Sequence, residues 1–154
     1  MLKTSASTIA VPTLNPKLLA HNVFTWPVRV YYEDTDSGGV VYHANYLKYF
    51  ERARTEWLRS RGFELTDLLH SYGVVFVVRA ITLDYFKPAL FNDMLEVTVE
   101  LAESGRSQLI LAQSVRRGHA VLVEARVKLA CVNPASFKPV KMPDTIIKKI
   151  GKKP

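Results

Sequence analysis

The sequence predicts an α+β domain in which one long helix packs against a five-stranded antiparallel sheet. Three observations support this prediction. Residues 46–61 place apolar side chains at helical spacing, and four β-rich segments follow between residues 74 and 132. Only short links join these segments, and short links connect antiparallel neighbours. Together with an earlier strand, the segments form one layer that the helix covers.

The first element is a strand over residues 28–32, a short segment of β-branched and aromatic side chains. Residues 33–39 follow with acidic side chains, turn formers and two glycines, which predicts a loop. Asn45 can then cap the long helix, which starts at Tyr46 and ends before Gly62. The loop therefore leads directly into a helix N-terminus.

The apolar stripe of this helix is wide. Its members recur at spacings of three and four residues, and they are Tyr46, Phe50, Ala53 and Trp57, with Leu47, Tyr49 and Leu58 beside them. A stripe of this width with several large aromatic side chains predicts that the sheet wraps around the helix.

A short helix and four strands complete the domain. Thr66 can cap a helix over residues 67–72 that ends at Gly73. The remaining strands are predicted over residues 74–86, 95–101, 107–116 and 120–132, with a hairpin turn at 117–119. A domain of this size leaves an exposed sheet edge, which favours pairing with a second copy of the chain. We therefore expect a homodimer or a homotetramer.

The net charge of +7 is unevenly distributed along the 154 residues. Residues 1–26 carry +2, residues 138–154 carry +5, and residues 27–137 hold 13 basic and 13 acidic side chains. We therefore divide the chain into a flexible N-terminal extension over 1–25, a folded domain over 26–137 and a Lys-rich C-terminal tail. Because the folded part is neutral, the sequence argues against a nucleic-acid-binding module.

Composition excludes other classes of protein. No apolar run reaches the roughly 18 residues that a membrane-spanning helix needs. The single cysteine, Cys131, rules out an intramolecular disulfide framework and a Cys-rich zinc site. Pro12 interrupts the short apolar stretch near the start of the sequence, so we predict no secretory signal and expect a cytoplasmic protein.

Residues that can perform chemistry concentrate between the first strand and the long helix. Asp34, Asp36 and His43 lie there, together with Gly38 and Gly39. A helix N-terminus offers free backbone N–H groups and a positive dipole end, which can hold an oxyanion while a carboxylate acts beside it. Taken alone, the aspartates could equally be turn or capping residues, or part of a metal site that lacks further ligands nearby.

This segment closely resembles the active-site segment of the hotdog-fold acyl-CoA thioesterases of the 4-hydroxybenzoyl-CoA thioesterase group. It is most similar to the bacterial Tol-Pal-associated acyl-CoA thioesterase family. The matching residues are Tyr32-Glu33-Asp34-Thr35-Asp36, Gly39-Val40-Val41-Tyr42-His43-Ala44-Asn45-Tyr46, Glu51-Arg52-Ala53-Arg54 and Trp57-Leu58-Arg59. The resemblance spans residues 26–135 and leaves the N-terminal extension and the Lys-rich tail unexplained.

The resemblance implies a hotdog fold, with the sheet wrapped around the long helix and active sites at a dimer interface. It places the catalytic carboxylate on Asp36, and a backbone N–H that polarises the thioester carbonyl at His43. The implied reaction is hydrolysis of an acyl-CoA thioester, with Asp36 as nucleophile or as general base for water. The His43 side chain orients the substrate or relays a proton.

Further site residues follow from the same interpretation. Backbone N–H groups near Tyr42 and His43 form the expected oxyanion hole. Glycine at position 38 lets the loop pass close to the ligand. The expected substrate-binding residues are Tyr42, Gly39, Val40 and Asn45. No metal and no cofactor are expected, acyl-CoA is the expected substrate, and an acyl carrier protein is a second candidate partner.

Other reactive side chains have structural interpretations. Cys131 lies on the apolar face of the last strand and is predicted to be a core thiol. Glu51 is expected to pair with Arg54 three residues later. Arg116 and Arg117 lie at a hairpin end, where they are solvated or bind coenzyme A phosphates. The histidines outside the motif are expected in solvent, namely His21, His70 and His119.

Two other functions stay open on the sequence alone. A hotdog dehydratase that acts on carrier-bound acyl chains also uses a histidine and a carboxylate, but the spacing of Asp36 and His43 argues against it. A non-catalytic scaffold of the cell envelope system that binds acyl-CoA or a carrier protein would keep the fold without turnover. Release of free thiol from acyl-CoA separates a hydrolase from a scaffold.

Overall fold

The structure, a computed structural model, describes residues 23–151 of the chain. Its strands are β1 (Phe24–Arg29), β2 (Val75–Tyr85), β3 (Met94–Ser104), β4 (Gln108–Arg117) and β5 (Ala120–Val132). Its helices are α1 (Asn45–Ser60), α2 (Leu65–Tyr72) and α3 (Asp144–Ile150), and a 3-10 turn covers Tyr32–Asp34. These strands form one antiparallel sheet in the order β1-β3-β4-β5-β2, which confirms the predicted α+β class.

The sheet packs on α1 through rows of apolar side chains. In one such row Val97 pairs with Val115, Val115 pairs with Val123, and all three side chains are fully buried. Burial of one such side chain contributes roughly 1.5–3 kcal/mol relative to exposure. The alternation of apolar residues along β3, β4 and β5 therefore determines which face of the sheet meets the helix.

The predicted apolar stripe of α1 is confirmed with one exception. Leu47 is 39% exposed, so its assignment to the stripe is wrong. Arg54 and Leu58 lie on the same side of the helix as Leu47 and are buried, so the exposure of Leu47 reflects its place in the first turn of α1 and not its direction around the helix axis. The members that are buried in the structure are Tyr46, Tyr49, Phe50, Ala53, Trp57 and Leu58.

A buried polar contact joins α1 to β4. Arg54 is only 7% exposed, and its Nη1 donates a hydrogen bond to Gln113 Oε1 at 2.9 Å. Gln113 Nε2 in turn donates to the Phe50 carbonyl at 3.2 Å. The predicted ion pair between Glu51 and Arg54 is confirmed. Because an unpaired buried charge is costly, these contacts favour one rotation of the helix on the sheet.

The first strand lies earlier than predicted. It runs over Phe24–Arg29, whereas the sequence pattern placed it over residues 28–32 and assigned residue 24 to the flexible extension. The chain leaves the sheet because the Tyr31 N–H donates to Asp34 Oδ2 at 2.8 Å, and the Asp34 N–H donates back to the Tyr31 carbonyl at 3.0 Å. This pair of contacts closes the 3-10 turn and ends the strand.

Both predicted helix caps are wrong. Asn45 is the first residue of α1, and its side-chain amide donates to the Asp34 carbonyl at 2.9 Å instead of accepting from the helix. Thr66 is the second residue of α2, where Glu64 holds the capping position and donates its N–H to Asp67 Oδ2 at 3.3 Å. The two helices therefore begin one and two residues earlier than predicted, at Asn45 and Leu65.

The folded domain continues past the predicted boundary at residue 137. Pro139 bridges to Val132, and α3 then packs onto the core. The side chains that α3 and the preceding turn bury are Met142, Ile146 and Ile150. The density of lysines hides this short apolar pattern in the sequence. The first 22 residues, which make up most of the predicted extension, and residues 152–154 lie outside the described residues.

Candidate active site

The loop between β1 and α1 folds into a tight turn that begins at Asp36. The Asp36 N–H donates to the Val40 carbonyl at 2.9 Å, and the Gly39 N–H donates to the Asp36 carbonyl at 3.0 Å. Thr35 and Val41 bridge at the base of the turn. Gly39 has a φ of 76°, a left-handed conformation that glycine adopts without strain. The glycine-rich sequence therefore allows the turn that presents Asp36.

The Asp36 carboxylate is exposed and fixed through one oxygen. Its Oδ1 accepts a hydrogen bond from the Gly38 N–H at 2.8 Å. No hydrogen bond to its Oδ2 is found within residues 23–151. A Cβ at position 38 would lie 3.1 Å from Asp36 Oδ1, so the absence of a side chain there leaves the carboxylate uncrowded. Asp36 is thus a turn residue that keeps one carboxylate oxygen open to a ligand.

Asp34 has a structural role. Its Oδ2 accepts the Tyr31 N–H, as described above, and its carbonyl accepts two hydrogen bonds from the start of α1. These come from the Tyr42 N–H at 2.9 Å and from Asn45 Nδ2 at 2.9 Å. Asp34 therefore holds the loop against the helix, whereas Asp36 keeps one carboxylate oxygen open.

The junction with α1 leaves the His43 amide open. The Tyr42 N–H is occupied by the Asp34 carbonyl, so it is not available as an oxyanion donor, contrary to the prediction. Across the described chain, no acceptor is found for the His43 N–H. Asn45 N–H donates to the Tyr42 carbonyl at 2.9 Å. Because the N–H and C=O of a trans peptide point in opposite directions, this contact also fixes the direction of the His43 N–H.

Tyr85 is a site residue that the sequence did not reveal. Its hydroxyl donates to the His43 carbonyl at 2.9 Å, and its ring lies edge-on to the Tyr46 ring with centroids 5.6 Å apart. Burial raises the pKa of Tyr85 and of Tyr46, so both hydroxyls stay protonated near neutral pH. Tyr85 ends β2, and only the fold brings that strand end to the start of α1.

An apolar cavity of about 340 Å³ adjoins the junction. Its lining residues are Val41, His43, Tyr46, Tyr85, Phe86, Lys87 and Pro88. The volume falls within the roughly 300–1,000 Å³ typical of small-molecule sites. A larger hollow of about 480 Å³ lies over strands β2 to β5, but most of its lining residues are polar or charged and it includes neither Asp36 nor His43. The smaller cavity is therefore the better candidate for an apolar group.

The structure brings the predicted site residues onto one loop and one helix start. Val40 is half-buried and bridges to Leu90, while the exposed Tyr42 ring lies 4.4 Å from the His43 ring, measured between centroids. The Asn45 side chain differs from the others, because its Nδ2 is already hydrogen-bonded to the Asp34 carbonyl of the loop. The predicted site residues therefore lie on one continuous segment of the chain, and they are Asp36, Gly39, Val40, Tyr42, His43 and Asn45.

The remaining reactive residues lie apart from this junction. Cys131 is a buried core thiol as predicted, and burial raises its pKa. His70 and His119 are exposed as predicted, whereas His21 lies outside the described residues. Arg117 forms an ion pair with Asp93 at 2.6 Å, so it is a structural residue and not a solvated hairpin end. The Arg116 Nε donates to Ser114 Oγ at 3.1 Å.

Two features are absent from residues 23–151, a metal-binding cluster and a membrane-spanning helix. No group of three or more His, Cys, Asp or Glu side chains is arranged to hold a metal ion. No helix in this part of the chain is both long enough and apolar enough to cross a bilayer.

Comparison with known proteins identifies relatives over most of the chain. The profile of the Thioesterase superfamily matches residues 38–124. Acyl-CoA thioester hydrolase YbgC of Escherichia coli O6:H1 is 46% identical over 126 residues, which cover 81% of this chain and 93% of that protein. Acyl-CoA thioesterase YbgC of Haemophilus influenzae is 46% identical over 125 residues, with 81% and 92% covered. The crystal structure of a probable thioesterase from Bartonella henselae is 35% identical, has a TM-score of 0.74, and covers 79% of this chain and 99% of that chain.

An antiparallel sheet around one helix, with a carboxylate loop at the helix N-terminus, defines a hotdog-fold thioester hydrolase. The chain belongs to the Thioesterase superfamily, whose profile covers more than half of it. The resemblance drawn from the motif over residues 32–59, the hotdog fold and the enzyme class are thereby confirmed.

Proposed function

We propose that this protein hydrolyses acyl-CoA thioesters where the Asp36 loop meets α1. The observation that supports the proposal most strongly is the His43 N–H, which has no acceptor within the described chain and lies at a helix N-terminus next to the Asp36 turn. Relatives 46% identical to this chain are named as acyl-CoA thioester hydrolases, which supports the substrate class.

In this proposal the thioester carbonyl accepts the His43 N–H. Attack on the carbonyl carbon moves negative charge onto that oxygen, where the N–H and the positive end of the α1 dipole stabilise it. The loss of one such donor in other enzymes costs about 3 kcal/mol. The amide acts through the backbone, so a side-chain substitution at His43 leaves this contribution in place and removes only the orienting or proton-relaying role of the imidazole.

Tyr85 is a positioning residue in this scheme. Its hydroxyl holds the His43 carbonyl at 2.9 Å and therefore restrains the peptide that joins His43 to Ala44. Restraint of this peptide, together with the Asn45 contact to the Tyr42 carbonyl, keeps the helix N-terminal amides pointed at one position. Donors that are fixed before the reaction stabilise an oxyanion without reorganisation.

Asp36 acts on the thioester carbon in one of two ways. As a nucleophile, its open oxygen attacks, the coenzyme A thiolate leaves and takes a proton, and water then hydrolyses the mixed anhydride. As a general base, it removes a proton from the water that attacks. A single turnover in H₂¹⁸O identifies the nucleophilic route when ¹⁸O enters Asp36, which requires water to attack the Asp36 carbonyl of the anhydride, whereas the general-base route leaves both Asp36 oxygens unlabelled.

The acyl group fits the apolar cavity next to His43. Each methylene that leaves water contributes about 0.8 kcal/mol, so the cavity favours acyl chains over the free coenzyme A thiol. Gly39, Val40 and Tyr42 lie in the chain between Asp36 and the cavity-lining residue His43, which supports their predicted role in substrate binding.

A panel of acyl-CoA substrates tests the proposal. Release of free thiol is measured with a thiol reagent for acyl groups of increasing length, with an acyl carrier protein thioester in a separate arm. The buried Cys131 thiol, whose pKa is raised, contributes little background. We expect thiol release from at least one coenzyme A thioester. Binding of acyl-CoA without thiol release from any substrate would favour the non-catalytic scaffold instead.

We further propose that the protein forms a homodimer through β2, or a homotetramer built from such dimers. β2 is an edge of the sheet and pairs only with β5, while Val78 and Tyr85 on it are about half exposed. Light scattering is expected to give two or four times the chain mass of 17.4 kDa. A monomer at assay concentrations would contradict this.

A cytoplasmic location stays a prediction, in keeping with the reduced thiol of Cys131.

A further inference from the structure

One end of the domain presents positive charge that the proposed reaction does not use. This end comprises the turn after β5 and the helix α3. Residues 133–151 contain four lysines and one acidic residue, Asp144, which lies 3.6 Å from Lys141. All four lysines are exposed, and they are Lys138, Lys141, Lys148 and Lys149. We call these lysines and Phe137 the basic end.

The lysines of the basic end lie on a fixed surface. Met142 donates its N–H to the Arg106 carbonyl at 2.9 Å, and its side chain is buried. Ile146 and Ile150 are buried one helical turn apart, which turns the lysines of α3 outward. Lys149 Nζ also lies 5.1 Å from the centre of the Phe63 ring. The charge is therefore displayed by the folded domain.

Phe137 is held in an exposed position next to these lysines. Its side chain is 66% exposed and its φ is 56°, a left-handed conformation that a bulky residue rarely adopts. The turn is closed by Asn133, whose carbonyl accepts the Phe137 N–H at 2.8 Å and whose Oδ1 accepts the Ala135 N–H at 2.8 Å. Several hydrogen bonds thus impose a strained backbone that places an aromatic ring in solvent.

We propose that the basic end docks the protein on an anionic phospholipid surface. Phe137 enters the headgroup region, where aromatic rings partition favourably, and the lysines face the anionic headgroups. In a fluid bilayer, individual anionic headgroups can move to contact lysines that lie apart from one another. A folded acidic protein would need a fixed complementary shape, whereas the four lysines are spread over a turn and a helix.

The position of the basic end keeps the proposed active site accessible. The helix α3 lies near the C-terminal end of α1, where Lys149 contacts Phe63. Asp36 and His43 lie at the N-terminal end, and 16 residues of helix separate the two ends by about 24 Å. Docking through the basic end therefore leaves the catalytic loop facing away from the lipid.

Vesicle co-sedimentation of the full chain tests this proposal without use of the hydrolytic activity. Vesicles of phosphatidylcholine with about 30% phosphatidylglycerol are compared with vesicles of phosphatidylcholine alone. We expect at least about tenfold stronger binding to the anionic vesicles, and weaker binding when 0.5 M salt shortens the screening length. Equal binding to both vesicles, or no binding, would overturn the proposal. So would retention on an immobilised acidic carrier protein without vesicle binding, because the partner would then be a protein.

Two sets of variants locate the contact. Phe137→Gly removes the ring and suits the left-handed backbone, so the fold is kept or stabilised while vesicle binding falls several-fold. The double variant Lys138→Gln with Lys148→Gln is expected to lose about fivefold per charge. Its matched control, Lys48→Gln with Lys87→Gln, removes the same charge elsewhere and should bind like the wild type. Equal losses in both double variants, or wild-type binding by Phe137→Gly, would contradict the proposed contact.

Discussion

The two ends of α1 differ in whether their backbone groups have hydrogen-bond partners. At the C-terminal end the last carbonyls are used, since the Gly62 N–H donates to Arg59 and the Phe63 N–H donates to Leu58, both at 3.0 Å. The buried side chains of α3 close the core just beyond them. At the N-terminal end the His43 N–H has no acceptor in the described chain, and the Tyr42 and His43 side chains are exposed.

This difference matches the proposed division of roles, in which one end stabilises the fold and the other binds the ligand. Backbone groups that are buried or packed need partners within the protein, because an unmet hydrogen bond is costly there. An exposed N–H at a helix start can bond to water until a ligand displaces it. The loop hydrogen bonds of Asp34 and Asn45 keep that end rigid without occupying the His43 amide.

The largest expected effect on stability is at the closed end. Ile146→Ala removes a fully buried side chain and should lower the free energy of unfolding by about 2–5 kcal/mol. Turnover per folded molecule should stay within twofold of the wild type. Urea unfolding and thiol release measure the two quantities. Ile147→Ala, at a partly buried neighbouring position, should cost less, and an equal loss would show that α3 does not pack as described.

The next prediction concerns kcat and the hydrogen bond that positions the His43 peptide at the N-terminal end of α1. Tyr85→Phe keeps the ring against Tyr46 but removes the hydrogen bond to the His43 carbonyl. We expect kcat to fall about tenfold with KM and the unfolding temperature nearly unchanged. Tyr72→Phe, which removes a hydroxyl near Phe63 at the other end, is the control and should leave kcat unchanged. A kcat for Tyr85→Phe within twofold of the wild type would refute the positioning role.

The smallest expected effect, that of alanine at Gly39 or Gly118, separates backbone strain from a role in turnover. Gly39 and Gly118 both have positive φ, at 76° and 60°, and a Cβ at either position would meet no atom within 4 Å. Alanine at either position should therefore lower stability by about 1 kcal/mol through backbone strain alone. Only Gly39→Ala should also reduce turnover, because it distorts the turn that presents Asp36. Loss of turnover in both variants would mean that lower stability, and not the loop, is responsible.

Much of the fold could be predicted because local patterns determine it. The period of the buried face of α1 and the alternation of β3 and β5 come directly from which residues must leave water. The helix α3 was missed because its seven residues contain a single apolar repeat, Ile146 and Ile150, next to several lysines that suggested a solvated tail. The Asn45 cap failed because its side-chain amide donates to the Asp34 carbonyl in the loop instead of accepting an N–H of its own helix.

The candidate site was predictable where it is contiguous in sequence. A glycine-rich turn that leads into a helix N-terminus locates Asp36 and His43 without any tertiary information. Tyr85 could not be found in this way, because 42 residues separate it from His43 and the contact depends on where β2 ends. The Tyr42 amide was assigned wrongly for a similar reason, since the Asp34 carbonyl that occupies it lies across the turn.

The central claim is that the open end of α1, with Asp36 beside it, performs the hydrolysis. The most direct test is the turnover of Asp36→Asn against that of Asp34→Asn. Both variants remove one charge from the same loop, and in both an amide oxygen can still accept the backbone N–H that the carboxylate holds. We predict that Asp36→Asn loses about 10³-fold in kcat while Asp34→Asn stays within about tenfold of the wild type. Near wild-type turnover by Asp36→Asn, or equal losses in the two variants, would contradict the account.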